Sequence, residues 1–281
     1  MNYIMIVTAA LLFSLQFMFK NGFQKECGSS WNASLIFSLY SSVSGLIVLL
    51  IINKFHLEAS LFSIAVALIY SIVNIVLGYS SIKAFQYANL SVYSVFSMIG
   101  GMLLPFIYGI LCGEEFKPVR IICCILIVIS VAMSINKGEQ SRKAIKYYIA
   151  VFVLNGMVGV ISKFHQSYTA YCVDSASFII LTKIVTLLMS VVLILVQNER
   201  SLKISKTAAL YCTGDSVFNS IANLMLLIAL LNLPASVQYP IVTGGVIIFS
   251  TIIDLLRKEK VTKKEIAAAG IAFISSAFMA L

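Results

Sequence analysis

The sequence predicts an all-α integral membrane protein of ten transmembrane helices, arranged as two inverted five-helix repeats around a central cavity. Three observations predict it. Of the 281 residues, 60% are hydrophobic and only 11% are charged, where a soluble domain carries about 25% charged residues on its surface. Ten apolar runs each approach the roughly 20 residues that a membrane-spanning helix needs. The second half of the chain then repeats the first at one fixed offset. Ala84 falls on Ala229, Ser91 on Ser236, Gly100 on Gly245, Leu111 on Leu256, Glu114 on Glu259 and Ser130 on Ser275, without a gap. A repeat of five spans must enter the membrane from opposite sides in its two copies, which gives a pseudo-two-fold axis in the membrane plane.

The elements follow in order. The first run, 3–20, lacks a basic leader and a small-residue cleavage site, so it reads as a retained span. The second and third, 33–52 and 61–82, are joined by a loop holding Lys54 and His56. The fourth, 90–111, carries Gly100-Gly101 and Pro105. The fifth, 119–136, holds Cys123-Cys124, which read as small apolar residues. Asn136 to Ala144, with Lys137, Arg142 and Lys143, joins a first repeat, 1–138, to a second, 145–281. The sixth and seventh spans are 145–164 and 175–197, with Lys183 in the middle of the seventh. The eighth, 207–230, carries Asp215, Asn219 and Asn223; the ninth, 235–256, carries Pro240 and Gly244-Gly245; the tenth is 264–280. The net charge of +9 comes from basic residues divided among short loops, which is a topology signal and not a nucleic-acid surface. Most of them follow odd-numbered spans. The positive-inside rule then puts those loops in the cytoplasm and both termini outside.

Polar residues inside the spans are patterned. Asp215, Asn219 and Asn223 are four apart and share one helix face. The equivalent face of the third span holds Tyr70, Asn74 and Gly78. Such stripes should face the bundle interior, either lining a wet cavity or joining helices by hydrogen bonds. Asp215 is an acidic group well inside a span and points to function, as a proton-coupling group or a counter-charge. Lys183 on the preceding span could pair with it, although helix rise places Lys183 roughly 9 Å deeper from their shared loop. Lys20 reads as a snorkelling residue at a span end, and Asp254, with Arg257 and Lys258, as a solvated interfacial cluster. Gly100, Gly101 and Pro105 match Pro240, Gly244 and Gly245 in the other half. Gly and Pro interruptions at corresponding places mark hinges and transport sites. Tyr93, Ser97, Gln238, Tyr239 and Thr243 lie on the same two spans as further hydrogen-bonding candidates.

The chain has no HExxH, nucleophile–base pair, paired intramembrane aspartates or phosphate-binding Gly-rich loop. Its Cys and His residues form no metal-ligand pattern. No catalytic residue, metal or cofactor is expected.

Each half ends on a related turn. Gly113-Glu114-Glu115-Phe116-Lys117 leads into Ile121 to Ala132, and Lys258-Glu259-Lys260-Val261-Thr262 leads into Ala267 to Phe278. With ten short-looped spans, this resembles the EamA-like group of the drug/metabolite transporter superfamily, whose turn before the last span reads Gly-Glu-x-hydrophobic-Thr. Lys258 departs from that pattern, as do Pro118 and Cys123-Cys124. The resemblance implies alternating access through a cavity lined by the first, third, fourth, sixth, eighth and ninth spans. It also implies cytoplasmic termini, against the loop charges. The expectation is a secondary active transporter in a bacterial-type plasma membrane, exporting a small polar or amphipathic metabolite with a proton or counter-substrate as partner. An intramembrane enzyme acting on a lipid-linked substrate and a non-transporting assembly subunit are the alternatives.

Overall fold

The computed structural model describes residues 2–112, 126, 129, 139–168, 170–197, 204–230 and 235–279. Among these residues the chain is helical and contains no strand. The helices are α1 (Asn2–Cys27), α2 (Trp31–Ile52), α3 (Leu61–Phe85), α4 (Leu90–Leu111), α5 (Glu139–Ser167), α6 (Ser175–Val196), α7 (Lys206–Leu230), α8 (Ala235–Leu256) and α9 (Lys263–Met279). They correspond to the expected spans one to four and six to ten; the expected fifth span lies outside the described residues except for Leu126 and Ile129. Six helices, α1 to α4, α6 and the Ala144–Ser167 part of α5, are long and apolar enough to cross a membrane, and Ile241–Leu256 is a shorter apolar helix. The described residues are therefore those of a helical integral membrane protein. Its outer faces carry bare apolar side chains such as Leu68, Leu188 and Leu255, which suit lipid, while helices satisfy their own backbone groups.

Local chemistry starts and stops these helices. Ser30, Ser60, Asn89 and Asp174 accept from backbone N–H groups of the first turns of α2, α3, α4 and α6. Such caps satisfy donors that a helix leaves unpaired. Burial opposes ionisation of Asp174, but hydrogen bonds from Ser177 and Ala176 outweigh it and hold the carboxyl below its ordinary range. Ser205 does the same for α7 through Ala208. Thr262 and Glu265 form a reciprocal capping box at α9.

The end of α8 explains the departure at Lys258. Lys258 N–H donates to Leu255 O and Glu259 N–H to Asp254 O, the paired bonds of a Schellman motif. Lys258 occupies the left-handed position with φ of 56°, where a side chain costs about 1 kcal/mol relative to glycine. Lys258→Gly is expected to stabilise the protein by a few tenths to about 1 kcal/mol, after allowance for the freer unfolded chain. A melting temperature below that of the parent protein would contradict this account of the turn.

Packing orders the helices into a closed ring: α1, α7, α2, α6, α3, α5, α4, α8 and back to α1, with α9 against α8. Around the ring, helices from the first and second halves of the chain alternate strictly. Contacts across the ring are slight, and α3 and α7 form no packed pair. Loops carrying Lys25, Gln86, Ser205 and Glu259 meet at one face, through Lys25–Glu259 at 2.6 Å, Ser29–Gln86 at 2.8 Å and Ser205–Glu26 at 3.0 Å. The Lys25 hydrogen bond holds the Glu259 carboxyl below its ordinary range. At the opposite face Glu58 N–H donates to Ser177 Oγ at 3.0 Å and Ser60 Oγ to Tyr171 O at 2.7 Å.

Candidate functional site

Charges enter this bundle on α1, α7 and α6, within one arc of the ring that α2 completes. Lys20 lies near the end of α1, Asp215 near the start of α7, and these helices are antiparallel partners. Counted from the basic face at 1.5 Å per residue, Lys20 sits ~10 Å deep, Asp215 ~13 Å and Lys183 of α6 ~20 Å. Depth therefore selects Lys20 as the partner of Asp215. Lys20 Nζ lies 3.7 Å from Asp215 Oδ1, with side chains only 13% and 5% exposed. This corrects two expectations: Lys20 does not snorkel, and Lys183 is not the ion-pair partner. Ser41 of α2 donates to Asp215 Oδ2 at 3.2 Å. Lys20 also approaches the Phe37 ring at 5.5 Å. Asp215 Oδ1 is buried and has no hydrogen bond among the described residues.

One turn further from the basic face, a second rung joins the same two helices. Asn219 donates to Gln16 Oε1 at 3.1 Å. Gln16 and Lys20 are four apart on α1, as Asn219 and Asp215 are on α7, so the polar faces meet as a ladder. Asn223 continues it by donating to Asn219 O at 2.8 Å and Oδ1 at 3.2 Å. Gln16 and Ser41 had escaped notice as single polar residues in apolar runs; the spacing of Gln16 from Lys20 was the available signal.

Lys183 stands beside this ladder. Its Cε and Nζ pass over Gly45 of α2, where a side-chain Cβ would come within 3.3 and 3.5 Å of them. The same Cβ would strike Ser216 Oγ, a hydroxyl that itself donates to Ser41 O at 2.5 Å. Lys183 is near enough to Asp215 and Lys20 to feel both charges, yet it makes no ion pair or hydrogen bond among the described residues.

The α3 stripe is different. Asn74 is half-buried and has no hydrogen-bond partner among the described residues. Tyr70 packs edge-on to Phe178 at 6.0 Å, inside an aromatic group where His165 stacks on the same ring at 3.9 Å. Ser63 Oγ lies 2.9 Å from His165 Nε2.

The α4 and α8 candidates sort by burial. Tyr93 is enclosed by Phe17 and Phe85 at 4.9 and 4.0 Å and donates to Ser81 at 2.8 Å. Ser97 and Thr243 are buried, and Ser97 O accepts from Asn155 at 2.6 Å. The side chains of Gln238, Tyr239 and Pro240 lie outside the described residues. Gly100, Gly101 and Pro105 meet α5: a Cβ on Gly100 would collide with the Phe152 carbonyl, and one on Gly101 would lie 2.7 Å from Asn155 Nδ2. Pro105 Cγ would be 2.5 Å from a Cβ on Gly159. These glycines admit another backbone. Gly244 faces Phe273 of α9 at 2.6 Å and Gly245 faces Ala10 of α1 at 2.9 Å on the same construction.

Asp254 is a further correction. It is 1% exposed, and its Oδ2 accepts from Ser91 N–H at 2.7 Å. A carboxylate there meets the positive end of the α4 dipole, so it anchors α8 to α4 and is not solvated. Ser91 Oγ and Thr251 Oγ1 add a contact at 2.8 Å.

No family model and no curated protein matches the chain. Among 27 matching solved chains, one described only as "Crystal structure of protein" superposes with a TM-score of 0.61 at 12% identity, covering 99% of this chain and 96% of that chain. At that identity the likeness is one of fold alone.

Proposed function

We propose that this chain is a secondary active transporter of the EamA-like kind, moving a small polar or amphipathic metabolite by alternating access. The observation that carries the reading is the alternating ring with a charged ladder buried in its wall. Charged and amide groups inside a membrane bundle are costly and mark pathways far more often than scaffolds. A ten-span inverted repeat is supported by the ring order, since exchanging α1 with α5, α2 with α6, α3 with α7 and α4 with α8 returns the same set of neighbours. It is supported also by equivalent contacts at the sequence offset. Ser14 Oγ donates to Val246 O at 3.1 Å, and at the equivalent pair a Cβ on Gly159 would lie 3.4 Å from Gly101 O. Ser216 donates to Ser41 O, and the equivalent pair, Ser71 and Thr186, is also joined, with Thr186 donating to Ser71 Oγ at 3.0 Å.

The half-buried Asn74, on a helix that does not pack on α7, fits a residue lining a central space. The left-handed Lys258 supports the family likeness, because the pattern's glycine falls where glycine is favoured. The reading includes a bacterial-type plasma membrane location, export as the direction, and a proton or counter-substrate as the coupled partner.

The test is counterflow in proteoliposomes holding the full-length protein. Flux of a metabolite that saturates with concentration and exceeds protein-free vesicles is the expected result. Absence of flux across a broad metabolite panel would remove the transporter reading in favour of an assembly role, and chemical conversion of a lipid-linked substrate would favour an enzyme.

A further inference from the structure

The charges buried in the wall of the ring do not cancel. The buried cluster holds two cations, Lys20 and Lys183, against one carboxylate, Asp215. Lys20 is within ion-pair reach of that carboxylate at 3.7 Å. Lys183 is left with no ion pair or hydrogen bond among the described residues. An uncompensated ammonium inside a membrane protein is costly, and a bound anion removes that cost. Beside it, Asp215 Oδ1 is a buried acceptor without a hydrogen bond among the described residues. The neighbouring amides of Gln16, Asn219 and Asn223 extend the polar surface away from the basic face.

We infer that the site takes a small carboxylate monoanion that also carries a hydroxyl or N–H donor, with Lys183 holding the anionic group and Asp215 Oδ1 receiving the donor. A dianion exceeds the one free positive charge, and a cation meets two like charges. The inference rests on the transporter reading above.

The experiment uses full-length protein in proteoliposomes and a panel of small molecules: glycolate as a monoanion with a donor, acetate as a monoanion without one, glycerol phosphate as a compound largely dianionic at neutral pH, glycine as a zwitterion, glycolamide as a neutral molecule and ethanolamine as a cation. Glycolate should be carried at least about tenfold faster than glycolamide, ethanolamine and glycerol phosphate, the factor set by one charge-assisted contact. Glycerol phosphate flux equal to that of glycolate overturns the single-charge limit. Lys183→Gln should lower that flux at least about tenfold, and Lys183→Arg should keep it within about threefold, because guanidinium retains the charge. If Lys183→Gln does not fold, inhibition of wild-type flux by excess glycolate but not glycolamide decides the same point. Flux of ethanolamine, glycine or glycolamide without anion flux overturns the anion inference and leaves the transporter reading standing. Parental anion flux in Lys183→Gln overturns the role of Lys183. Absence of flux for every compound on this panel and on the broader one overturns both.

Discussion

Asp215→Asn is expected to destabilise the protein by about 3 kcal/mol or more, because breaking a buried ion pair leaves an uncompensated charge. Here it leaves two, Lys20 and Lys183, within reach of one another's field. Lys20→Gln should cost less. Asp215 then keeps the Ser41 hydrogen bond and the attraction of Lys183. The double variant, Lys20→Gln with Asp215→Asn, should recover part of the loss, with a coupling of about 1–3 kcal/mol between the two sites. Unfolding free energies of the four proteins in the same detergent measure this. Additive effects, or a Lys20→Gln cost exceeding that of Asp215→Asn, would mean that the three charges do not act as one cluster. The same variants bear on coupling. If Asp215 takes up a proton during transport, Asp215→Asn abolishes gradient-driven accumulation even where counterflow persists, whereas a purely structural Asp215 lowers both together.

Much of this architecture is legible in the sequence, because membrane helices announce themselves by length and apolarity, and the α7 stripe by its spacing. The 145-residue register of pairs such as Ala84 and Ala229 was readable for the same reason. What was not legible depends on which helices become neighbours. Lys183 and Asp215 lie on consecutive helices, so the sequence offers a pairing between them, although their depths from the shared loop differ. Lys20 is separated from Asp215 by most of the chain, and only the antiparallel packing of α1 on α7 brings their depths together. Asp254 misled for a related reason. Its neighbours Arg257 and Lys258 suggest solvent, but the N-terminus of α4 is delivered to it by the ring and replaces water as donor. The role of Lys258 lies in its backbone angle, which no residue count reveals, although a missing glycine in an otherwise familiar turn was a usable hint.

Gly100→Ala is the second substitution with a large expected effect, and its cause is steric. The added methyl points at the Phe152 carbonyl of α5, a backbone atom that cannot move without displacing the helix. From the other side, a Cβ on Gly156 would reach Gly100 O at 2.7 Å, so the two helices touch backbone to backbone, as small residues permit in membrane bundles. Asn155 fixes the register by donating to Ser97 O. Pro105 lacks the N–H that would otherwise bond Gly101 O, and that freed carbonyl faces Gly159. Overpacking normally costs about 1–3 kcal/mol when side chains can give way; with only backbone to yield, Gly100→Ala should cost at least about 3 kcal/mol or prevent folding. Gly101→Ala should cost less, because its obstacle is the amide end of Asn155, which can rotate. Gly270→Ala is the control, since none of the described residues lies within 4 Å of a Cβ there, and helix propensity favours alanine by about 1 kcal/mol. Equal melting temperatures for Gly100→Ala and Gly270→Ala would show that α4 and α5 do not approach as closely as this crossing requires. That crossing is one of the eight seams on which the ring depends.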